Sequence, residues 1–465
     1  MFSDDSRTEL YQRFERPVPA WFSQAKLGIF IHWGAYSVPA WAEPIGELGT
    51  IERFTWMKHN PYAEWYYNTI RIEGSPAAEH HREVFGGAPY DDFLDAWKAE
   101  EFDPDEWASL FARAGARYVV PTTKHHDGIC LWDAPGTPRN TVARGPQRDL
   151  VGDLAAATRR AGMRFGTYYS GGLDWDVADS GPIVSDIGED MRPQDEAYTA
   201  YANAHVRDLV ERYAPDVLWG DINWPDAGKP DGPLSFARVL DEYYAAVPEG
   251  VVNDRFGQTH WDFRTSEYQQ GRDLESGAWE NCRGIGYSFG YNRVEGPEHH
   301  LTGPQAVKHL LDVVARGGNL LLDIGPTASG QIPELQRRCL EGLADWMAVN
   351  GAAVHGTTTV DASVARPSGH QGHDDDGSGA TWVRWTRSGD VLNAVVDASG
   401  EVELPLTASA VDLGSARLLD GTPVSAREGS GGGGSSVVVD VPQAAGQHGP
   451  AVVTFDLTTD RGARA

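Results

Sequence analysis

Asp221 closes the apolar run Val217-Leu218-Trp219-Gly220 and stands between Trp219 and Trp224 in PDVLWGDINWP. Such a setting can hold a carboxylate in a rigid, aromatic-walled pocket. An ionised carboxylate there can attack an anomeric carbon and later leave, while aromatic faces pack against the C–H surface of a sugar ring. Capping of the following loop is the other use of an aspartate at such a place. Sugar hydrolysis needs a second carboxyl group to protonate the leaving oxygen and then activate water. Glu267 in FRTSEY is the first candidate, Glu64 in PYAEWY its alternative, and Glu280 in AWEN a third. Each is equally open to a plain role as a solvated group or an arginine partner.

Other residues capable of chemistry also follow candidate strands. His32 comes after Ile29-Phe30-Ile31, His125 and His126 come after PTTK, and Tyr168, Arg255 and Glu267 end further segments. Imidazole can both donate to and accept from sugar hydroxyls. Arg255 can hold a carboxylate or ring hydroxyls, or pair structurally with Asp254 or Asp262. Phe30 and Phe289 suit either an apolar pocket wall or a core. A metal site built on the histidines is disfavoured, because adjacent residues on a strand point to opposite faces and no HxH or HExxH spacing occurs. GGN at Gly317–Asn319 precedes a strand and has neither GxGxxG nor a Walker lysine, so it is no phosphate loop.

The elements that must bring these residues together repeat as helix, break and buried strand. In FDPDEWASLFARAGARYVVPTTK, Asp103 suits an N-cap and Pro104 the first helical position. Trp107, Leu110 and Phe111 form one apolar face, and a strand follows over 118–123. The unit recurs in DLVGDLAAATRRAGMRFGTYYS, with Gly162 ending the helix and a strand over 163–169, and again before Val217. Further strands are expected at 27–31, 251–253, around IGYSFGYN, and at 319–324. This alternation over more than 300 residues predicts a (β/α)8-like, TIM-type barrel over residues 1–350, with a doubly wound sheet as the alternative. In a barrel the C-terminal strand ends converge on one mouth.

After Val349-Asn350-Gly351 the composition shifts to Val, Thr, Gly and Ser, and ATWVRWTRSGDVLNAVVDA and SSVVVDVP alternate like half-buried strands. Residues 351–465 are therefore expected to form a C-terminal β-sandwich domain, with SGHQGHDDDGSGA and EGSGGGGSS as mobile hairpin loops within it.

The 39 basic and 67 acidic residues among 465 give a formal charge of −28, which opposes nucleic-acid and anionic-membrane partners and favours a neutral substrate. Three scattered cysteines with no CxxC spacing indicate neither a disulfide framework nor structural zinc. The N-terminus lacks the basic start and apolar run of a signal peptide, and no stretch reaches about 18 apolar residues, so a cytoplasmic location is expected. No cofactor or metal is expected, and a homo-oligomer is left open.

Taken together, LGIFIHWG, PYAEWY, TTKHHDGICLW, RGPQRDLVGDL, TYYSGGLDW, PDVLWGDINWP, VNDRFG and SFGYN closely resemble the family 29 α-L-fucosidases, over roughly residues 15–350. The β-rich C-terminal region is also typical of that family. The resemblance implies a retaining exo-α-L-fucosidase acting on fucosylated oligosaccharides or glycosides, with Asp221 as nucleophile. It also implies a fucose subsite lined by His32, Glu64, Trp65, His125, His126, Tyr168, Trp219, Arg255 and Phe289. An aromatic pocket with Phe30 and Phe289 would suit the C6 methyl of fucose. The HWDF–TSEY pattern resembles relatives in which that glutamate is the acid/base, hence Glu267, with Glu64 as the alternative. Three competing readings stay open at this point: a metal-dependent hydrolase on the same barrel, a noncatalytic sugar-binding protein, and a glycosidase for a galactoside.

Overall fold

The structure, a computed structural model, describes residues 7–178, 181–188, 191–268, 277–370, 379–429 and 436–458. Eight parallel strands form one sheet: β1 (Leu27–Ile31), β2 (Tyr118–Lys124), β3 (Arg164–Ser170), β4 (Val217–Asp221), β5 (Val251–Val252), β6 (Arg264–Glu267), β7 (Trp279–Gly284) and β8 (Asn319–Ile324). Their order is β5-β4-β3-β2-β1-β8-β7-β6. The sheet curls until its two edges meet, where Asn253 bridges Phe263 and the N–H of Asp262 donates to the Val252 carbonyl at 2.8 Å. This is the expected TIM-type barrel, closed at one seam by a short contact.

Two apolar cores flank the strands because period-two alternation sends successive side chains to opposite faces. The interior core holds Phe30, Tyr118, Val120, Tyr168, Val217, Trp219 and Leu321. The outer core joins Ile29, Val119, Phe165, Leu218 and Leu320 to the covering helices. Strands buried on both faces read as continuous apolar runs, which is why β1 and β8 lie where the sequence puts them. The helix Pro104–Arg113 begins as predicted: the Asp103 carboxylate accepts from the N–H groups of Asp105 and Glu106, and Trp107, Leu110 and Phe111 are buried.

The segment IGYSFGYN is not a strand. Its place in the sheet is taken by β7, WENCRG, a sequence too polar to stand out. Its polar side chains are nonetheless buried and matched: Asn281 donates to Ser266 at 2.9 Å, and Arg283 donates to Glu47 at 2.9 Å. Residues 285–292 instead form an irregular loop after β7, at the barrel mouth.

Beyond the helix Glu334–Asn350, a four-stranded antiparallel sheet and a three-stranded one pack face to face. Val383, Leu392 and Phe455 from one sheet share a core with Val402, Leu404 and Val439 from the other, so this is a β-sandwich. It is fixed to the barrel by a buried ion pair between Arg384 and Asp312, and by a hydrogen bond from Trp346 Nε1 to the Pro450 carbonyl at 2.8 Å. The central residues of the two glycine-rich loops, 371–378 and 430–435, lie outside the described residues. Among the described residues, no helix is long and apolar enough to cross a membrane.

Candidate active site

A cavity of about 350 Å³ opens at the C-terminal ends of the barrel strands. Its lining includes Asp221, Glu267, Glu64, Phe30, His32, Trp65, His125, His126, Tyr168, Trp219, Arg255 and Phe289, so every candidate named from the sequence except Glu280 reaches it. Glu280 sits behind the floor, where Trp219 Nε1 donates to one of its oxygens at 2.9 Å and the Tyr118 hydroxyl binds the other.

Alternation places Val217, Trp219 and Asp221 on the inner face of β4, with Asp221 last, at the mouth. The Tyr168 hydroxyl donates to Asp221 Oδ2 at 2.8 Å, and Arg255 Nη1 donates to Oδ1 at 3.3 Å. The same Nη1 donates to Glu267 Oε2 at 3.0 Å. Arg255 is thus the shared cation between two carboxylates, and its partners are neither Asp254 nor Asp262. Asp254 instead accepts from Thr265, and Asp262 takes Arg16 and Tyr244. Burial pushes the Asp221 carboxyl above its usual range, opposed by Arg255 and the Tyr168 hydrogen bond.

The chain past Asp221 is strained. Ile222 has φ 58° and Asn223 φ 83°, left-handed values that side chains other than glycine seldom adopt. For a β-branched residue this costs about 1–3 kcal/mol. Gly171 and Gly172 make room: their N–H groups donate to the Asp221 carbonyl at 3.2 and 3.3 Å.

Glu267 ends β6 and receives a second hydrogen bond from the Tyr62 hydroxyl at 3.0 Å. Glu64 is 1% exposed and its Oε2 already accepts from the Gly290 N–H at 2.7 Å and the Ser288 hydroxyl at 3.2 Å. It thereby ties the 285–292 loop, and with it Phe289, to the cavity wall. Burial raises the Glu64 carboxyl to about 7, the Gly290 hydrogen bond working against that rise.

The three histidines converge although two are adjacent in sequence. The register of β2 against β3 shifts between Thr122 and Lys124, and the chain turns after Lys124. Both rings then face the cavity, their centroids 3.9 Å apart. The Ser170 hydroxyl donates to the Leu173 carbonyl at 2.9 Å, so it accepts from His126 Nδ1 at 2.7 Å, which leaves His126 Nε2 as the free acceptor 3.8 Å from Asp221 Oδ2. Burial pushes all three imidazoles well below their usual range, which makes them neutral hydrogen-bonding groups. Among the described residues, no group of three or more His, Cys, Asp or Glu side chains is arranged to hold a metal ion.

Trp65 meets the ring of His126 edge-on at 5.3 Å, and Phe30 lies 4.9 Å from Trp219 and 6.3 Å from Phe289. The cavity therefore pairs an aromatic wall with a ring of imidazole, guanidinium and carboxylate groups, the combination that a pyranose with one apolar side requires. Two participants escaped the sequence reading. Asp323, which pairs with His32, stands at the end of β8 in LLLDIG, and the strand-end rule used for the others would have found it. Tyr62 lies inside PYAEWY, but nothing in its spacing marks it.

The sequence matches the family described as alpha-L-fucosidase over residues 4–352. It is 33% identical to the tissue alpha-L-fucosidase of Homo sapiens over 413 residues, covering 86% of this chain and 80% of that one. It is 32% identical to an alpha-L-fucosidase of Dictyostelium discoideum over 356 residues, 74% of this chain and 72% of the other. Among solved structures, the Thermotoga maritima alpha-fucosidase superposes with a TM-score of 0.82 at 43% identity, over 95% of this chain and 98% of that one. On sequence and fold alike, the chain belongs to the α-L-fucosidase family of glycoside hydrolases.

Proposed function

We propose that the chain is a retaining exo-α-L-fucosidase that releases terminal α-linked L-fucose from glycans or glycosides by double displacement, with Asp221 as nucleophile and Glu267 as acid/base. The observation that carries this reading is the hydrogen bonding of one Arg255 nitrogen to both carboxylates, at 3.3 and 3.0 Å. The two bound oxygens can lie no farther apart than those distances laid end to end. Two carboxylates that share one guanidinium nitrogen are held close together, which supports the ~5–5.5 Å spacing of a retaining pair over the ~6.5–9.5 Å of an inverting one.

In the first displacement Asp221 attacks C1 as the bond from C1 to the aglycone oxygen breaks, and that oxygen takes its proton from Glu267. Arg255 and Tyr168 hold Asp221 ionised and aimed. Once the sugar ester forms, Asp221 no longer carries charge, and Arg255 is left to the newly ionised Glu267. Glu267 then takes a proton from water as the water oxygen attacks C1 and the ester bond breaks. Neutral His32, His125 and His126 hydrogen-bond ring hydroxyls, and Phe30 and Phe289 receive the C6 methyl.

One observation favours a second reading of the acid: burial places the Glu64 carboxyl at about 7, the range of a general acid at neutral pH. Azide rescue separates the two. Asp221→Gly should lose aryl fucosidase activity and regain turnover in azide with β-fucosyl azide as product. Glu267→Gly should regain it with the α-azide, and Glu64→Gly should not. Normal turnover by Asp221→Gly would refute the nucleophile, and an α-azide from Glu64→Gly would transfer the acid/base role to Glu64.

A further inference from the structure

We propose that Glu295 is a positioning residue of the sugar site: it fixes the place of Phe289 and thereby sets how strongly the enzyme prefers a C6 methyl to a C6 hydroxymethyl group. The proposal rests on the reading of Phe289 as a wall for C6 given above, and adds the residue that holds that wall.

Phe289 has no regular element beneath it. It belongs to the irregular 285–292 loop, yet its ring lines the cavity, with centroids 4.8 Å from His32, 5.3 Å from Tyr62 and 6.3 Å from Phe30. A loop has no strand ladder to fix its backbone, so its buried N–H groups must find partners elsewhere. Here the residues on either side of Phe289 each donate to a buried carboxyl group. The Gly290 N–H donates to Glu64 Oε2 at 2.7 Å, and the Ser288 N–H donates to Glu295 Oε1 at 2.8 Å.

The two carboxyl groups differ in what else they touch. Glu64 lines the cavity, whereas Glu295 is not among the lining residues. Glu295 therefore acts on the sugar only through the loop. Its Oε2 packs against Gly286, where a Cβ would come within 2.1 Å of it, so the carboxyl group is wedged against the loop as well as bonded to it.

Behind Glu295 stands His300. Its Nδ1 donates to the Gly296 carbonyl at 2.9 Å, which leaves Nε2 of the neutral ring as a lone pair 3.6 Å from Glu295 Oε2. Burial raises the Glu295 carboxyl to about 8, against the Ser288 hydrogen bond, and so favours the protonated acid at neutral pH. What the loop takes from Glu295 is one acceptor oxygen at the right reach, not a charge. Without it the Ser288 N–H is buried and unpaired next to Phe289, and the loop must move to satisfy it.

An aryl α-L-fucoside and the matching α-L-galactoside, identical but for a hydroxyl on C6, test this. The ratio of kcat/KM on the two does not depend on how much of the protein is folded, so it separates positioning from a loss of stability. Glu295→Leu removes the acceptor and should lower kcat/KM on the fucoside about tenfold, chiefly by raising KM. The galactoside, whose C6 hydroxyl gains less from an aromatic wall, should lose less, and the preference should fall at least about threefold. Glu295→Gln keeps length and acceptor and should hold the preference within about twofold of wild type. Glu295→Asp keeps the carboxyl group but falls one methylene short of Ser288, and should shift the preference in the same direction as Glu295→Leu. An unchanged ratio in Glu295→Leu and Glu295→Asp would overturn the inference alone. A shifted ratio in Glu295→Gln beside a wild-type ratio in Glu295→Asp would assign the effect to the acid itself and likewise overturn it. A wild-type enzyme with no preference for the fucoside would overturn the reading of Phe289, and this inference with it.

Discussion

Nδ1 of His32 and Oδ1 of Asp323 stand 2.7 Å apart between the ends of the neighbouring strands β1 and β8, with both side chains buried. The pairing makes Nδ1 the protonated nitrogen and leaves Nε2 as an acceptor in the cavity. Asp323 Oδ2 has no hydrogen-bond partner among the described residues, and burial, reinforced by Glu64, raises this carboxyl well above its usual range. What His32 needs from Asp323 is therefore one acceptor, not a charge. Asp323→Asn should keep kcat/KM on an aryl fucoside within about threefold. Asp323→Leu, which leaves a buried N–H unpaired, should lower it by about 10- to 100-fold. Equal large losses in both variants would show that the charge itself matters.

Glu280 is a buried acid of a different kind, held behind Trp219 and out of the cavity. Burial raises it from 4.5 to about 7 against the hydrogen bonds from Tyr118 and Trp219. A carboxyl whose pKa is higher in the folded state binds its proton more tightly there. Its stabilisation is complete below the unfolded value near 4.5 and is lost as pH rises through about 7. The wild-type protein should lose on the order of 3 kcal/mol from this group over that interval. Glu280→Gln, neutral throughout, should show a shallower fall in Tm between pH 5 and 8; parallel curves would mean that Glu280 is not protonated in the folded protein.

Glu280, on β7, also marks where the sequence stopped being informative. Asp221 was legible because an apolar strand leads into it, and β1 and β8 because both of their faces are buried in apolar cores. The strands β6 and β7, RTSE and WENCRG, were hard to see because they carry polar groups satisfied by side chains from other elements, some of them far away in sequence. The bond from Trp219 to Glu280 spans 61 positions and that from Tyr62 to Glu267 spans 205. The turn that aims His125 and His126 into one cavity was illegible for the same reason: a register shift belongs to a pair of strands, not to either sequence.

That turn is anchored by Lys124. It is fully buried, and its Nζ donates to Asp174 Oδ2 at 3.0 Å and to the Tyr198 hydroxyl at 3.2 Å. The Trp175 N–H in turn donates to the His126 carbonyl at 2.8 Å, so the ion pair sits directly behind the histidines. Lys124→Met would strand the Asp174 charge in the interior and should destabilise by about 3–5 kcal/mol in urea unfolding. Lys124→Met combined with Asp174→Leu should be less destabilised than the sum of the single changes. Additive losses would mean that the two side chains are energetically independent.

Gly172 bears on Asp221, the proposed nucleophile, through backbone alone. A Cβ at this position would come within 1.8 Å of the Ile222 carbonyl oxygen, and its N–H already donates to the Asp221 carbonyl at 3.3 Å. Backbone has no rotamer by which to yield, so Gly172→Ala must displace either its own strand end or the left-handed pair Ile222–Asn223. Either movement shifts Asp221 relative to Arg255 and to the bound sugar. Because a misplacement of about 1 Å costs on the order of a hundredfold in rate, kcat should fall by roughly that factor. The fall should be larger than the change in KM, since the histidines proposed to bind the sugar hydroxyls are carried by other strands. A Gly172→Ala enzyme with normal kcat would show that the turn after β4 relaxes without moving the Asp221 carboxylate, and that the strain at Ile222 is not what holds Asp221 in place.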